Sequence, residues 1–247
     1  RPNTPERLKL MFDITRRTLP SATLVLGTAL ATTLPAAADQ TIKVGVMSGA
    51  EEEVAEVVKK VAATKGLNVQ LVPFSDYALV NEALSRGDLD ANAFQHKPYL
   101  DAQIAARGYK IVPAGYTIVE PIGFYSAKHK EFTAVPEGAK IGIPNDPSNG
   151  GRALHLLAAN GLIKLKDGTG LTATPLDIVE NPKKVSFVET DAALLPKQLP
   201  DLDGAVINTN YALGAGLNPT KDALVQESRT NNPYGNFVAV RAADKDK

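Results

Sequence analysis

The sequence predicts an α/β protein in two lobes with a ligand cleft between them. Three observations carry this. Strands and helices alternate from Ile42 onward, the alternation breaks once around Glu120-Pro121, and it then restarts at Lys140. Alternation implies a mostly parallel sheet with right-handed crossovers, and a break with no helix marks a crossing into a second unit.

The elements follow in order. Ile42-Lys43-Val44-Gly45-Val46 is a β-branched run, and the helical stretch AEEEVAEVVKKVAATKG after it has acids in its first turn and lysines and Gly66 at its end, the order that the helix dipole and a glycine stop favour. NVQLVPF reads as a strand, YALVNEALSRGD as a helix, LDANAF as a strand and PYLDAQIAARGY as a helix closed by Gly108. YKIVPAGYTIVEPIGFYSAKH holds two β-rich runs joined at Glu120-Pro121. KIGIPND, LDIVEN, KVSFVET and DGAVIN then read as strands, with NGGRALHLLAANG and DAALLPKQL as helices, and DALVQES and NFVAVRA as strands returning to the first lobe. The expected organisation is residues 39–123 for the first part of lobe 1, 124–210 for lobe 2, and 211–247 for the return.

Lys plus Arg and Asp plus Glu number 27 each. No global field therefore recruits nucleic acid or an anionic membrane, and no basic run interleaved with aromatics suggests a local one. There is no cysteine, which removes thiol nucleophiles and thiolate metal sites. Arg16 and Arg17 precede a mildly apolar run ending at Ala36-Ala37-Ala38, so residues 1–38 read as a signal peptide of the Sec or twin-arginine kind, with 1–10 upstream of a natural start at Met11.

In open α/β sheets ligands bind beyond the carboxyl ends of strands, so the loops after DANAF, IGIPND and DGAVIN carry the candidates. In IPNDPSNGGRALHLL, Arg152 sits at the start of a helix and can grip a carboxylate in a two-bond fork, although a solvated arginine beside a cap fits the same pattern. Asn149, Asn208 and Asn236 each read equally as turn-formers or as amides orienting a zwitterion. Phe94 and His96 lie beyond a strand, with Tyr99 in the next helix behind Pro98 and Tyr77 at the equivalent place one unit earlier. These side chains either wall a pocket or fill a core. No nucleophile elbow, zincin, Walker or dinucleotide motif is present, and His96, His129 and His155 are too scattered for a metal site, so neither a cofactor nor an enzyme is expected.

GDLDANAFQHKPYLD, IPNDPSNGGRALHLLAANGLIKLKDG, LDIVENPK and AVINTNYA, in this order, closely resemble the methionine-binding lipoprotein family, the substrate-binding components of methionine ABC importers. The resemblance runs from about Ile42 to the end. It implies a two-lobed periplasmic-binding-protein fold that closes on methionine, L or D, or a close derivative, and delivers it to an ABC permease and ATPase at the inner membrane. It implies Arg152 for the ligand carboxylate, Asn208, Asn236 and Asn149 for the amino-acid backbone, and Tyr77, Phe94, His96 and Tyr99 as an aromatic wall for the thioether. Glu120, in VEPIGFYS, would face the ammonium or sit in the hinge. The absent lipid-bearing cysteine implies a freely diffusing periplasmic protein, and the ending RAADKDK, where relatives continue, implies a truncated C-terminus. An enzyme or a sensory module on the same scaffold are the competing classes.

Overall fold

The computed structural model describes residues 40–247, so the signal-peptide reading of 1–38 lies outside the described residues. In chain order the elements are β1 (Gln40–Met47), α1 (Ala50–Ala63), β2 (Leu67–Phe74), α2 (Ala78–Arg86), β3 (Ala91–His96), α3 (Lys97–Arg107), β4 (Ile111–Val119), β5 (Gly123–Tyr125), β6 (Lys140–Pro144), α4 (Pro147–Ala159), β7 (Lys164–Leu165), β8 (Ile178–Glu180), β9 (Ser186–Thr190), α5 (Leu195–Gln198), β10 (Gly204–Ile207), α6 (Thr209–Gly214), β11 (Val225–Gln226) and β12 (Gly235–Arg241). They build one five-stranded sheet in the order β2-β1-β3-β12-β4 and another in the order β11-β5-β10-β6-β9.

In the first sheet β1 runs parallel to β2 and β3, while the late strand β12 inserts antiparallel between β3 and β4. In the second, β6 is parallel to β9 and β10, and β5 is antiparallel to β10 and β11. The chain leaves the first sheet at Val119 and enters the second at Gly123, so Glu120-Pro121 is a crossing segment.

Three expectations need correction. The return to the first lobe does not begin at residue 211, because Asn210 and Tyr211 lie in α6 after β10, and Val225 pairs with Phe124 in the second sheet. The pairing of β11 with a short edge strand wins over a simple two-strand return, and only β12 goes back. LDIVEN joins neither main sheet: β8 pairs with β7 in a two-stranded hairpin. Finally, α4 starts at Pro147, capped by the Asp146 side chain, which accepts the Asn149 N–H at 2.9 Å. Pro-Ser opens that helix well, since Pro at the first position loses no hydrogen bond, and Arg152 therefore lies one turn deeper than its start.

The first lobe's core gathers Met47, Val80, Leu84, Leu89, Leu100 and Phe237 beside β3. The second sheet is covered on one face by α4, through Ile141, Ile143, Leu154 and Leu157, and on the other around α5, through Leu195, Leu199, Ala205 and Ile207.

Candidate functional site

A narrow cavity opens where the two sheets meet, and it is lined by Tyr77, Phe94, His96, Tyr99, Glu120, Asn149, Arg152, Asn208 and Asn236, the whole expected set, together with Glu51, Gln95, Thr209 and Asn210. The strand ends explain the convergence. Phe94 and His96 close β3, Asn208 follows β10, and Asn149 and Arg152 stand in the first turns of the helix that follows β6.

His96 is the last residue of β3 and the cap of α3, where its Nδ1 accepts the Tyr99 N–H at 3.2 Å. That bond makes Nδ1 an acceptor and leaves the proton on Nε2, which donates to Asn149 Oδ1 at 3.2 Å. Burial, and then the nearby Arg152 guanidinium, push its pKa down to about 3, so the imidazole is neutral and presents a flat, partly apolar edge. Asn149 Oδ1 also accepts from Asn208 Nδ2 at 3.0 Å, while its Nδ2 donates to the Asp146 carboxylate at 3.0 Å. The amide is therefore fixed with its oxygen towards His96 and Asn208.

The aromatic side is part wall and part core. Phe94 and Tyr99, each 5% exposed, pack edge to face with ring centroids 5.8 Å apart, and Tyr77 lies 5.9 Å from both. Behind them Asn81, Asn92 and Gln95 form a closed amide network, with Gln95 Nε2 donating to Asn81 Oδ1 at 2.7 Å and Asn81 Nδ2 donating to Gln95 Oε1 at 2.8 Å. A β-bulge makes this network: Phe237 opposes Gln95 and Val238 opposes Ala93, so Phe94 is an extra residue. Such a bulge re-aims the side chains that flank it, bringing Asn92 and Gln95 to the same amide.

Arg152, 3% exposed, is not held as the fork geometry alone suggests. Its Nε and Nη2 donate to the two carboxylate oxygens of Glu227 at 2.8 and 2.6 Å, and Nη2 also donates to the Glu120 carbonyl at 2.8 Å. Tyr234 stacks on the guanidinium, 4.2 Å from ring centroid to Cζ, and meets His96 edge to face. Among the described residues Nη1 makes no hydrogen bond to a protein acceptor, and Arg152 lines the cavity. Glu227 and Tyr234 were not anticipated. Glu227 is 75 residues from Arg152 in sequence, and nothing local marks it.

Glu120 lines the cavity from the crossing segment, so the two alternatives for it, hinge and pocket, are the same place. Its carboxyl is a neighbour of the Glu51 carboxyl, which lines the same cavity. Burial raises both acids, Glu51 more strongly, and the proximity of Glu120 raises Glu51 further. Both carboxyls are therefore held above the usual carboxylate range by burial, Glu51 the more so for its acidic neighbour. Asn208 Oδ1 and Asn210 Nδ2, both buried in the same wall, make no hydrogen bond among the described residues. Elsewhere, His155 bonds the Gly170 carbonyl at 2.8 Å and His129 lies 3.7 Å from Asp203; no cluster among the described residues could hold a metal ion.

The cavity thus joins a cationic edge, a carboxylate, several fixed amides and an aromatic wall. D-methionine-binding lipoprotein MetQ of Salmonella typhimurium is 56% identical over 208 residues, covering 83% of this chain and 76% of the relative. A nutrient binding protein from Burkholderia cenocepacia solved bound to methionine is 58% identical with a TM-score of 0.81, covering 83% of this chain and 87% of that one. A periplasmic substrate-binding protein of an ABC transporter from Coxiella burnetii is 53% identical with a TM-score of 0.81, covering 83% and 87%. Residues 42–247 match the family model described as NlpA lipoprotein, and with a two-sheet α/β fold that agrees with these structures, the chain belongs to the NlpA lipoprotein family.

Proposed function

We propose that this protein is the substrate-binding component of an ABC importer for methionine, that it works in the periplasm, and that it hands the amino acid unchanged to a membrane permease and its ATPase. The observation that carries the reading is the two-sided cavity. One side offers the Arg152 guanidinium and the amides of Asn149, Asn208 and Asn236; the other offers Tyr77, Phe94, Tyr99 and the neutral His96. An amino-acid backbone suits the first side, and a polarizable thioether gains from the aromatic edges of the second. The relatives' names agree with that chemistry.

In this reading Nη1 of Arg152 meets the ligand carboxylate, with Glu227 and Tyr234 holding the guanidinium rigid. Calorimetric titration with methionine, followed by mass spectrometry of the ligand recovered from denatured protein, should give saturable binding and an unaltered mass. Arg152→Lys keeps a cation beside Glu227 but loses the planar fork, so methionine affinity should fall about tenfold or more, a loss of roughly 1.4 kcal/mol per decade. Full retention of affinity in that variant would reject the role assigned to Arg152.

A further inference from the structure

The amides behind the aromatic wall are an unusual choice for the middle of a lobe. Asn81, Asn92 and Gln95 are 0%, 0% and 2% exposed, in a core otherwise built of side chains such as Val80, Leu84, Leu89 and Leu100. Amides taken out of water destabilise a fold unless every donor and acceptor is met, and here each of the three is met at both its nitrogen and its oxygen. Asn81 and Gln95 exchange reciprocal bonds at 2.8 and 2.7 Å, Asn92 Nδ2 donates to Asn81 Oδ1 at 3.0 Å, and Gln95 Nε2 donates to Asn92 Oδ1 at 3.0 Å. Apolar side chains of the same shape would fill that space nearly as well. The network's distinctive contribution is therefore the geometry it enforces.

That geometry has two parts. Asn92 and Gln95 are three apart, which on a regular strand puts them on opposite faces; the bulge, with Phe237 opposite Gln95 and Val238 opposite Ala93, lets both reach Asn81. The network therefore closes only while Phe94 is the extra residue. Asn81 in turn stands four residues after Tyr77, the residue that precedes α2, so the two lie one turn apart on the same side of the helix. The network thus clasps the element that presents Tyr77 to the strand that presents Phe94 and His96. We infer that Asn81 is a positioning and specificity-determining residue: by holding Asn92 and Gln95 across the bulge, it keeps Tyr77 and Phe94 as one rigid surface, against which an unbranched apolar side chain lies flat and a branched one does not. The inference rests on the amino-acid reading above. The rings of Tyr77, Phe94 and Tyr99 lie 5.8 to 5.9 Å apart from one another, already in contact, so the wall yields to a branch only if α2 and β3 move. Supporting residues that hold such a surface to within about 0.5 Å are what shape selection needs.

Calorimetry on the full chain with methionine and leucine of the same hand, paired with thermal unfolding, tests this. Asn81 and Asn92 do not line the cavity, so a substitution there reaches the ligand only through the wall. Wild type should prefer methionine by about tenfold or more, the scale on which an apolar pocket separates ligands that differ in shape by one carbon. Asn81→Leu removes the centre of the network and should bring that preference to about twofold or less. Asn92→Ala leaves the reciprocal Asn81–Gln95 pair in place and is the milder variant; it should lower the preference about threefold. A residue that only fills the core would lower the melting temperature and leave the methionine-to-leucine ratio where it was, and that result in either folded variant overturns the inference. Failure of both variants to fold overturns it too, since the network would then serve the fold itself. Equal binding of the two ligands by wild type does so without any variant, because there is no selection to account for. Failure of wild type to bind methionine or any other free amino acid overturns the underlying reading instead, and the inference with it.

Discussion

His96 shows how much one residue does here. It ends β3, caps α3 through Nδ1 and fixes Asn149 through Nε2, and those bonds require the neutral ring that burial and Arg152 enforce. Its contribution to stability is present above the ordinary histidine pKa near 6.5 and is lost as pH falls towards 3, because the unfolded chain takes up the proton first. Beside it, Phe94 belongs to both the core cluster and the cavity wall, so core and pocket are not exclusive readings. Phe94→Ala should therefore lower stability by roughly 3–5 kcal/mol, the usual cost of a large core truncation. It should also weaken methionine by about 1–3 kcal/mol and narrow its advantage over alanine. Denaturant unfolding and paired titrations of one variant check both; an unchanged methionine-to-alanine ratio would remove Phe94 from the wall.

At the scale of the element, α4 sets the cationic edge, and its placement depends on absent side chains as much as on present ones. A Cβ on Gly151 would stand 2.3 Å from the Leu171 carbonyl oxygen and 2.6 Å from the Ala173 nitrogen, and one on Gly150 would stand 2.8 Å from the Pro144 oxygen. These are backbone contacts that no rotamer change relieves. Gly151→Ala should cost about 1–3 kcal/mol of stability, as overpacking does, and should weaken methionine binding by displacing Arg152 on the next position. Thermal unfolding together with calorimetry measures both. The glycine pair in PSNGGRAL thus reads as close helix packing, a role the alternation of strands and helices could not reveal.

At the scale of the whole molecule, the two sheets are held together across the cavity by specific polar contacts. Tyr77 Oη donates to Asn210 Oδ1 at 2.5 Å, its ring lies 4.8 Å from that of Tyr211, and Tyr211 Oη donates to the Ser75 carbonyl at 3.2 Å. His96–Asn149 and Arg152–Glu120 cross elsewhere in the same region. Ligand affinity is therefore tied to the contact between lobes as well as to the pocket. Tyr77→Phe removes one hydroxyl, a loss of about 1 kcal/mol, and should weaken methionine about fivefold, mainly through faster release. Stopped-flow displacement would show it; an unaltered release rate would mean that this hydroxyl does not help to hold the lobes together.

The sequence by itself determined the local and periodic features. Strand-helix alternation, the break at Glu120-Pro121, and loops at strand ends follow from backbone preferences and turn chemistry over a few residues, and they put Phe94, His96, Asn149 and Asn208 at or just beyond strand ends, where the structure has them line the cavity. The long motifs around Arg152 and Asn208 then carried the resemblance to the family. What tertiary structure decided is whatever depends on partners distant in the chain. The match of Glu227 to Arg152, the stacking of Tyr234 and the inward turn of Glu51 rather than Glu53 have no local signature. Nor does the allegiance of β11, whose Val225–Gln226 reads as a strand in isolation but finds its open edge on β5 in the second sheet. A two-residue strand carries too little pattern to specify a neighbour, and a buried charge is defined by the group that neutralises it, which only the folded chain brings within reach.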